Sequence, residues 1–152
     1  MTRARVEEVY FDREPSVDAL RAASAAAFGV RPEMVVIEFL DGPAYIGPEP
    51  AVRWIRDSEN MRGEFPAWFY LHTQVAELER ISRILSIITG KLGVAALSQA
   101  PDPDELALHG PDGSLRYVPV LQSSANGNAL VLSQPDRTSL DRAYKAVRAL
   151  AS

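Results

Sequence analysis

Apolar residues in this chain fall into two kinds of run: short extended ones and longer ones repeating every three or four positions. Val6–Phe11 is apolar, β-branched and aromatic enough to predict a first strand. Pro15-Ser16 then opens a helix in which Val17, Leu20, Ser24, Ala27 and Phe28 share one face. Ser16 is the expected N-cap, since its hydroxyl can accept from an unpaired first-turn amide. Gly29 is the expected stop, because glycine takes the left-handed conformation without a Cβ clash. Arg31-Pro32 forces an extended exit. Met34–Leu40 is almost continuously apolar, which predicts a strand buried on both sides or central in its sheet.

The same β–α–β unit then recurs. Ala67–Val75 gives the strongest strand pattern of the chain and Glu77–Leu92 the strongest helical one. In that helix Leu78, Ile81, Leu85, Ile88 and Leu92 form the stripe and Gly93 ends it. Val94–Ser98 is the returning strand. The two units share a motif without detectable sequence identity. Between them, residues 41–66 are rich in proline and glycine, and Pro50 predicts a short helix through Ala51–Asn60 with Val52 and Ile55 inward.

Beyond Pro101-Asp102-Pro103-Asp104 the pattern becomes antiparallel. Leu106–His109 and Leu115–Leu121 flank the turn-forming Gly110-Pro111-Asp112-Gly113, and Asn126-Gly127 leads into Ala129–Ser133. Pro119 requires an edge or a bulge, because it cannot donate to a ladder. A last helix is expected near Thr138, with Asp141 three residues on and a stripe of Leu140, Ala143/Tyr144, Val147 and Leu150. These elements predict a single α+β domain over 1–152. It has one mixed β-sheet of about six or seven strands, built from two βαβ units plus antiparallel hairpins, with three main helices packed mostly on one face.

Composition narrows the chemistry. The chain has 152 residues, 47% of them hydrophobic and 24% charged, which fits an ordinary globular domain. It contains no cysteine, so disulfides, thiolate nucleophiles and zinc-thiolate centres are excluded. No apolar run is long enough to span a bilayer, and no apolar core follows the basic N-terminus, so neither a membrane span nor a secretory signal is expected. The reading is a soluble cytoplasmic protein. Fourteen arginines against two lysines, with many alanines, point to a GC-rich bacterial genome. Net charge is −4, and residues 1–76 carry 8 basic against 12 acidic side chains. Phosphate binding needs clustered Lys and Arg, so nucleic acid is not an expected partner.

Few residues can do chemistry. His72 shares a strand phase with Trp68, Tyr70 and Gln74, while Phe69, Leu71 and Val75 take the other phase and look like core. Trp68, Tyr70 and His72 therefore line a wetter face and form a candidate ligand-binding cleft, with His72 as its general base. A hydrogen-bonded strand histidine is the plainer reading, because no carboxylate lies at an identifiable partner spacing. His109 reads as a turn-flanking surface residue, and two histidines without a third ligand do not make a metal site. Asp102, Asp104 and Glu105 read as a solvated turn, lacking EF-hand spacing. Neither β–α junction carries a phosphate-binding glycine motif, and no Gly-x-Ser-x-Gly elbow occurs. No cofactor, metal or catalytic residue is assigned.

The remaining signal is a surface. Tyr45, Arg53, Trp54 and Arg56 bring together, within 41–66, the residue types that dominate interface hot spots. The leading expectation is a non-catalytic module of immunity or antitoxin type. It binds a more basic protein, steered by the acidic N-terminal half and anchored by those four residues. Against it stands a lid role for 41–66 over an open sheet face. A small-molecule binder or enzyme using Trp68, Tyr70 and His72 is the second reading, and homo-oligomerisation through an open face or edge the third.

Overall fold

A computed structural model describes residues 5–75, 77–119, 121–123 and 129–151. The elements run β1 (Arg5–Phe11), α1 (Val17–Phe28), β2 (Val35–Phe39), β3 (Val52–Arg56), β4 (Ala67–Thr73), α2 (Leu78–Leu92), β5 (Ala96–Gln99), β6 (Glu105–His109), β7 (Leu115–Pro119), β8 (Leu121–Ser123), β9 (Ala129–Val131) and α3 (Gln134–Ala151). The fold is α+β with a single mixed seven-stranded sheet ordered β2-β3-β4-β1-β5-β6-β7, and β8 and β9 pair antiparallel in a separate two-stranded sheet. Only β2 and β3 run parallel; all other neighbours are antiparallel.

Both β–α–β units are present, but their strands are not neighbours. β3 and β4 lie between β1 and β2, and β1 is inserted between β4 and β5. Parallel neighbours need a crossover of about a dozen residues. For β2 and β3 that crossover is the irregular stretch 40–51, extended by Pro43, Pro48 and Pro50. The short helix expected at Ala51–Asn60 is instead strand β3, with Val52, Trp54 and Arg56 buried on one side. Val52-Arg53-Trp54-Ile55-Arg56 satisfies a two-residue period as well as a helical one, and pairing with β2 and β4 selects the strand.

The caps are local. The Ser16 hydroxyl accepts from the Ala19 amide at 3.1 Å, and Gly29 and Gly93 end α1 and α2 at φ of 69° and 67°. α3 starts at Gln134, four residues before the expected Thr138. The Ser133 hydroxyl accepts from the Asp136 amide at 3.4 Å and donates to the Asp136 carboxylate at 2.8 Å, which caps its first turn. The turn expected at Asn126-Gly127 lies outside the described residues.

The sheet carries a core on each face. Strand alternation shows this within β1: Val9 and Phe11 belong to one cluster, Tyr10 to the other. On the first face, α1 and α2 cover β1, β3 and β4 through Leu20, Ile81, Leu85 and Ile88. Phe69 meets Phe11 and Trp54 edge-on at 5.5 and 5.9 Å, a favoured aromatic geometry. The Trp54 indole N–H donates to Ser24 Oγ at 2.9 Å. The third helix lies on the opposite face, where Leu140 and Tyr144 pack with Phe65, Leu97, Leu108 and Val118. Helix α3 thus covers only the β5–β7 half of that face. No helix among the described residues is long and apolar enough to cross a membrane.

Candidate functional site

The uncovered half of the second face follows from register. β4 presents Trp68, Tyr70 and His72; β1 sets Tyr10 opposite Trp68, Glu8 opposite Tyr70 and Val6 opposite His72. On the other flank β3 sets Ile55 opposite Tyr70 and Arg53 opposite His72. None of these residues is buried, and Val6 is 53% exposed. An aromatic ladder crosses this surface, with Trp68 6.0 Å from Tyr10 and 5.6 Å from Tyr70 between ring centroids. Placing Trp68, Tyr70 and His72 opposite Phe69 and Leu71, as the sequence phase implies, matches the observed burial.

The polar groups here are held in place. Tyr70 donates to Asp57 at 2.8 Å, and burial, then the Asp57 carboxylate, pushes its hydroxyl up to about 12. Burial and then Glu8 raise Tyr10 as well. Both phenols stay protonated at neutral pH and serve as donors, not bases. Burial lowers the His72 pKa, the Arg53 charge lowers it further, and Glu38 opposes them. Among the described residues His72 has no side-chain hydrogen bond. Glu38 instead accepts from the Tyr45 amide and faces Arg53 at 3.6 Å. The hollow beside His72, between Pro50 and Gln74, holds only about 60 Å³. A general base needs a held proton acceptor within reach of a bound substrate, and this corner offers neither a carboxylate on His72 nor space for more than a few waters.

A larger cleft opens at the other end of the ladder. It has a volume of about 370 Å³ between Tyr10 and Glu8 of β1, Gln99 and Leu106 of the β5–β6 pair, and the loop at Pro101–Pro103. The Asp102 carboxylate accepts from the Asp104 amide at 2.9 Å, fixing that loop. The turn expected for Asp102, Asp104 and Glu105 holds for the first two, while Glu105 opens β6, and Asp102 and Glu105 also wall this cleft. Tyr10 and Glu8 were missed because β1 also buries Glu7, which blurs its alternation.

The hot-spot group divides. Tyr45 and Arg53 are half-buried beside β2, with the Arg53 guanidinium 5.9 Å from the Tyr45 ring. Trp54 and Arg56 correct the expectation of an exposed cluster. Trp54 is 0% exposed in the core. Arg56 is turned inward to Glu14 at 2.9 Å, Asn60 at 2.6 Å and the carbonyls of Asp57 and Glu59. It clamps the β1–α1 loop to the loop after β3. Segment 41–66 is therefore not a free interface: its middle is a sheet strand, and Met61 and Phe65 pack into the second core, as the lid reading expects of that end.

His109 is a second correction, because it is buried and not at the surface. Its Nδ1 and Nε2 lie 2.7 Å from the hydroxyls of Ser86 and Ser98, so the ring bolts α2 to the β5–β6 pair. Burial pushes its pKa down to about 3. A neutral imidazole has one donor and one acceptor, so one serine donates to it and the other accepts. His72 and His109 face opposite sides of the sheet and cannot share a ligand. No group of three or more metal-binding side chains occurs among the described residues. Comparison with protein-family models, with curated proteins and with solved structures finds no match to this chain.

Proposed function

We propose that this chain acts without catalysis, by binding another protein across the open half of its sheet. The supporting observation is the Tyr10–Trp68–Tyr70 ladder, left uncovered on a face whose other half is sealed by α3. Tyrosine and tryptophan bury large area at low entropic cost. The rim supplies charge through Glu8, Asp57, Arg53 and Glu38. The docking residues are thus Tyr10, Trp68 and Tyr70, with Arg53 and Tyr45 at the margin. A bacterial, cytoplasmic setting of the immunity or antitoxin kind belongs to this reading through composition and size alone. The small-molecule alternative centred on His72 receives less support, given the volume beside that ring.

A photo-crosslinking residue at Tyr70 tests the reading in extracts of the source organism, with Arg83 on the exposed side of α2 as the control position. Discrete adducts from position 70 and none from position 83 are expected, and Trp68→Ser should abolish them. Adducts from both positions at equal yield, or none from position 70, would overturn the reading. An adduct of twice the chain mass identifies the partner as a second copy.

A further inference from the structure

We infer that the cleft beside Tyr10 receives a basic side chain, arginine or lysine, from the partner polypeptide; this rests on the protein-binding reading above. Charge is the first argument. Glu8, Asp102 and Glu105 line the cleft, and among the described residues no Lys, Arg or His does. The lining thus carries negative charge without a basic neighbour, and a cationic side chain entering the cleft is attracted to it. Ring chemistry is the second. Tyr10 forms one wall, with Trp68 6.0 Å behind it, and an aromatic face attracts a guanidinium or ammonium. Shape is the third. Ala100, Pro101, Pro103 and Leu106 give the cleft apolar walls, which suit the methylene stem of a long basic side chain. Its volume of about 370 Å³ lies at the small end of ligand pockets, roughly 300–1,000 Å³.

The position of the cleft argues for a side chain over a free cation. Tyr10 is both its wall and the first ring of the ladder, so an occupant sits at the end of a surface that continues over Trp68 and Tyr70. A backbone crossing the ladder can drop one residue into the cleft. The recognised chemistry is then a cationic side chain on an extended or surface segment, with aromatic contacts following along the strand direction.

The test is an NMR titration of the ¹⁵N-labelled chain with N-acetyl-arginine amide, its uncharged isostere N-acetyl-citrulline amide, and a pentapeptide with one central arginine. Saturable shifts at the Tyr10, Gln99 and Leu106 amides are expected with the arginine compound and not with citrulline. The pentapeptide should bind at least as tightly and extend the shifts to Trp68 and Tyr70. The double variant Glu8→Gln/Glu105→Gln should weaken binding by about tenfold, as loss of two partly exposed charge pairs implies. Equal shifts with citrulline, or none with either compound, overturn the inference. So does tighter binding of the free amide than of the pentapeptide, which would make the cleft a site for a free cation. The crosslink from position 70 separates the two claims. Unchanged adduct yield in the double variant removes the basic-side-chain inference and leaves protein binding standing. Loss of the adduct in the unmodified chain removes protein binding itself.

Discussion

Replacing Trp54 by alanine should unfold a large part of this protein's stability, although sequence types alone place Trp54 at a docking surface. The indole is fully buried, edge-on to Phe69 and 5.9 Å from Phe11. Truncating a buried tryptophan costs about 3–5 kcal/mol in lost burial and residual cavity. Ser24, itself 0% exposed, also loses its indole partner, which costs about 1–3 kcal/mol for a stranded polar group. Ser24 sits inside α1, so its hydroxyl can turn to the carbonyl one turn earlier, which puts that second cost at the low end. The total is about 4–6 kcal/mol against a usual stability of about 5–15 kcal/mol. For a chain of this size the melting temperature should fall by on the order of 10–20 °C. Urea unfolding followed by far-ultraviolet circular dichroism reads the loss. Trp68 remains as the one tryptophan fluorophore of the variant, since the chain has two. Trp68→Ala, from the half-buried ladder, should cost less, about 1–2 kcal/mol, because part of that side chain is already in water. A Trp54→Ala variant that loses less than about 1.5 kcal/mol, or a Trp68→Ala variant that loses more than it, refutes the assignment of the two faces.

Three further outcomes follow from the same coordinates. Stability should be complete above pH 6.5 and fall by about 1.4 kcal/mol per pH unit as pH drops toward 3, because the unfolded His109 takes up a proton that the folded ring refuses; denaturant titrations at several pH values should show that slope flattened in His109→Gln, and equal slopes in both proteins exclude His109 as its source. Gly63→Ala should lower the melting temperature by on the order of 10 °C, since φ is 105° and an added Cβ would stand 2.4 Å from the Leu130 carbonyl oxygen; calorimetry checks it. Arg56→Ala should cost about 2–4 kcal/mol by stranding the groups it clamps, and should raise hydrogen exchange in both the β1–α1 loop and residues 57–60.

Elements governed by local rules were legible. Ser16, Gly29 and Gly93 bound their helices where the pattern puts them, and the β4 alternation assigns every residue from Ala67 to Thr73 to its observed side. What failed was decided at a distance. Strand β3 carries arginine at both its second and fifth positions, and burial of Arg56 becomes tolerable only because Glu14, 42 residues away, meets it. His109 ends an apolar run before a turn, which reads as surface. Two serines from elements 23 and 11 residues away satisfy its ring and let it be core. The start of α3 has a local signature, since Ser133-Gln134-Pro135-Asp136 carries a capping serine, an early proline and an acidic residue in the first turn, but the apolar stripe begins only at Leu140 and so points to a later start.

The two tryptophans show why the face of a residue is harder to read than its element. Each lies in an extended run with aromatic or β-branched neighbours, and neither residue type nor local period separates them. Pairing does. In-register neighbours point to the same side of a sheet, so fixing the phase of β4 fixes its partners too. Trp54 stands opposite Leu71 and goes to the closed core; Tyr10 stands opposite Trp68 and goes to the open half. The phase of β4 was available from its sequence, but the strand order β3-β4-β1 was not. The helix expected over Ala51–Asn60, with Val52 and Ile55 inward, leaves Trp54 outside, and without the strand order nothing sets Tyr10 and Glu8 beside Trp68 and Tyr70. The strand order also explains why the cleft had no local signature. Its walls come from β1 and from the β5–β6 pair with the loop at 100–103. Its acidic residues, more than ninety positions apart in the chain, line one hollow because β1 is inserted between β4 and β5 and so becomes the neighbour of β5.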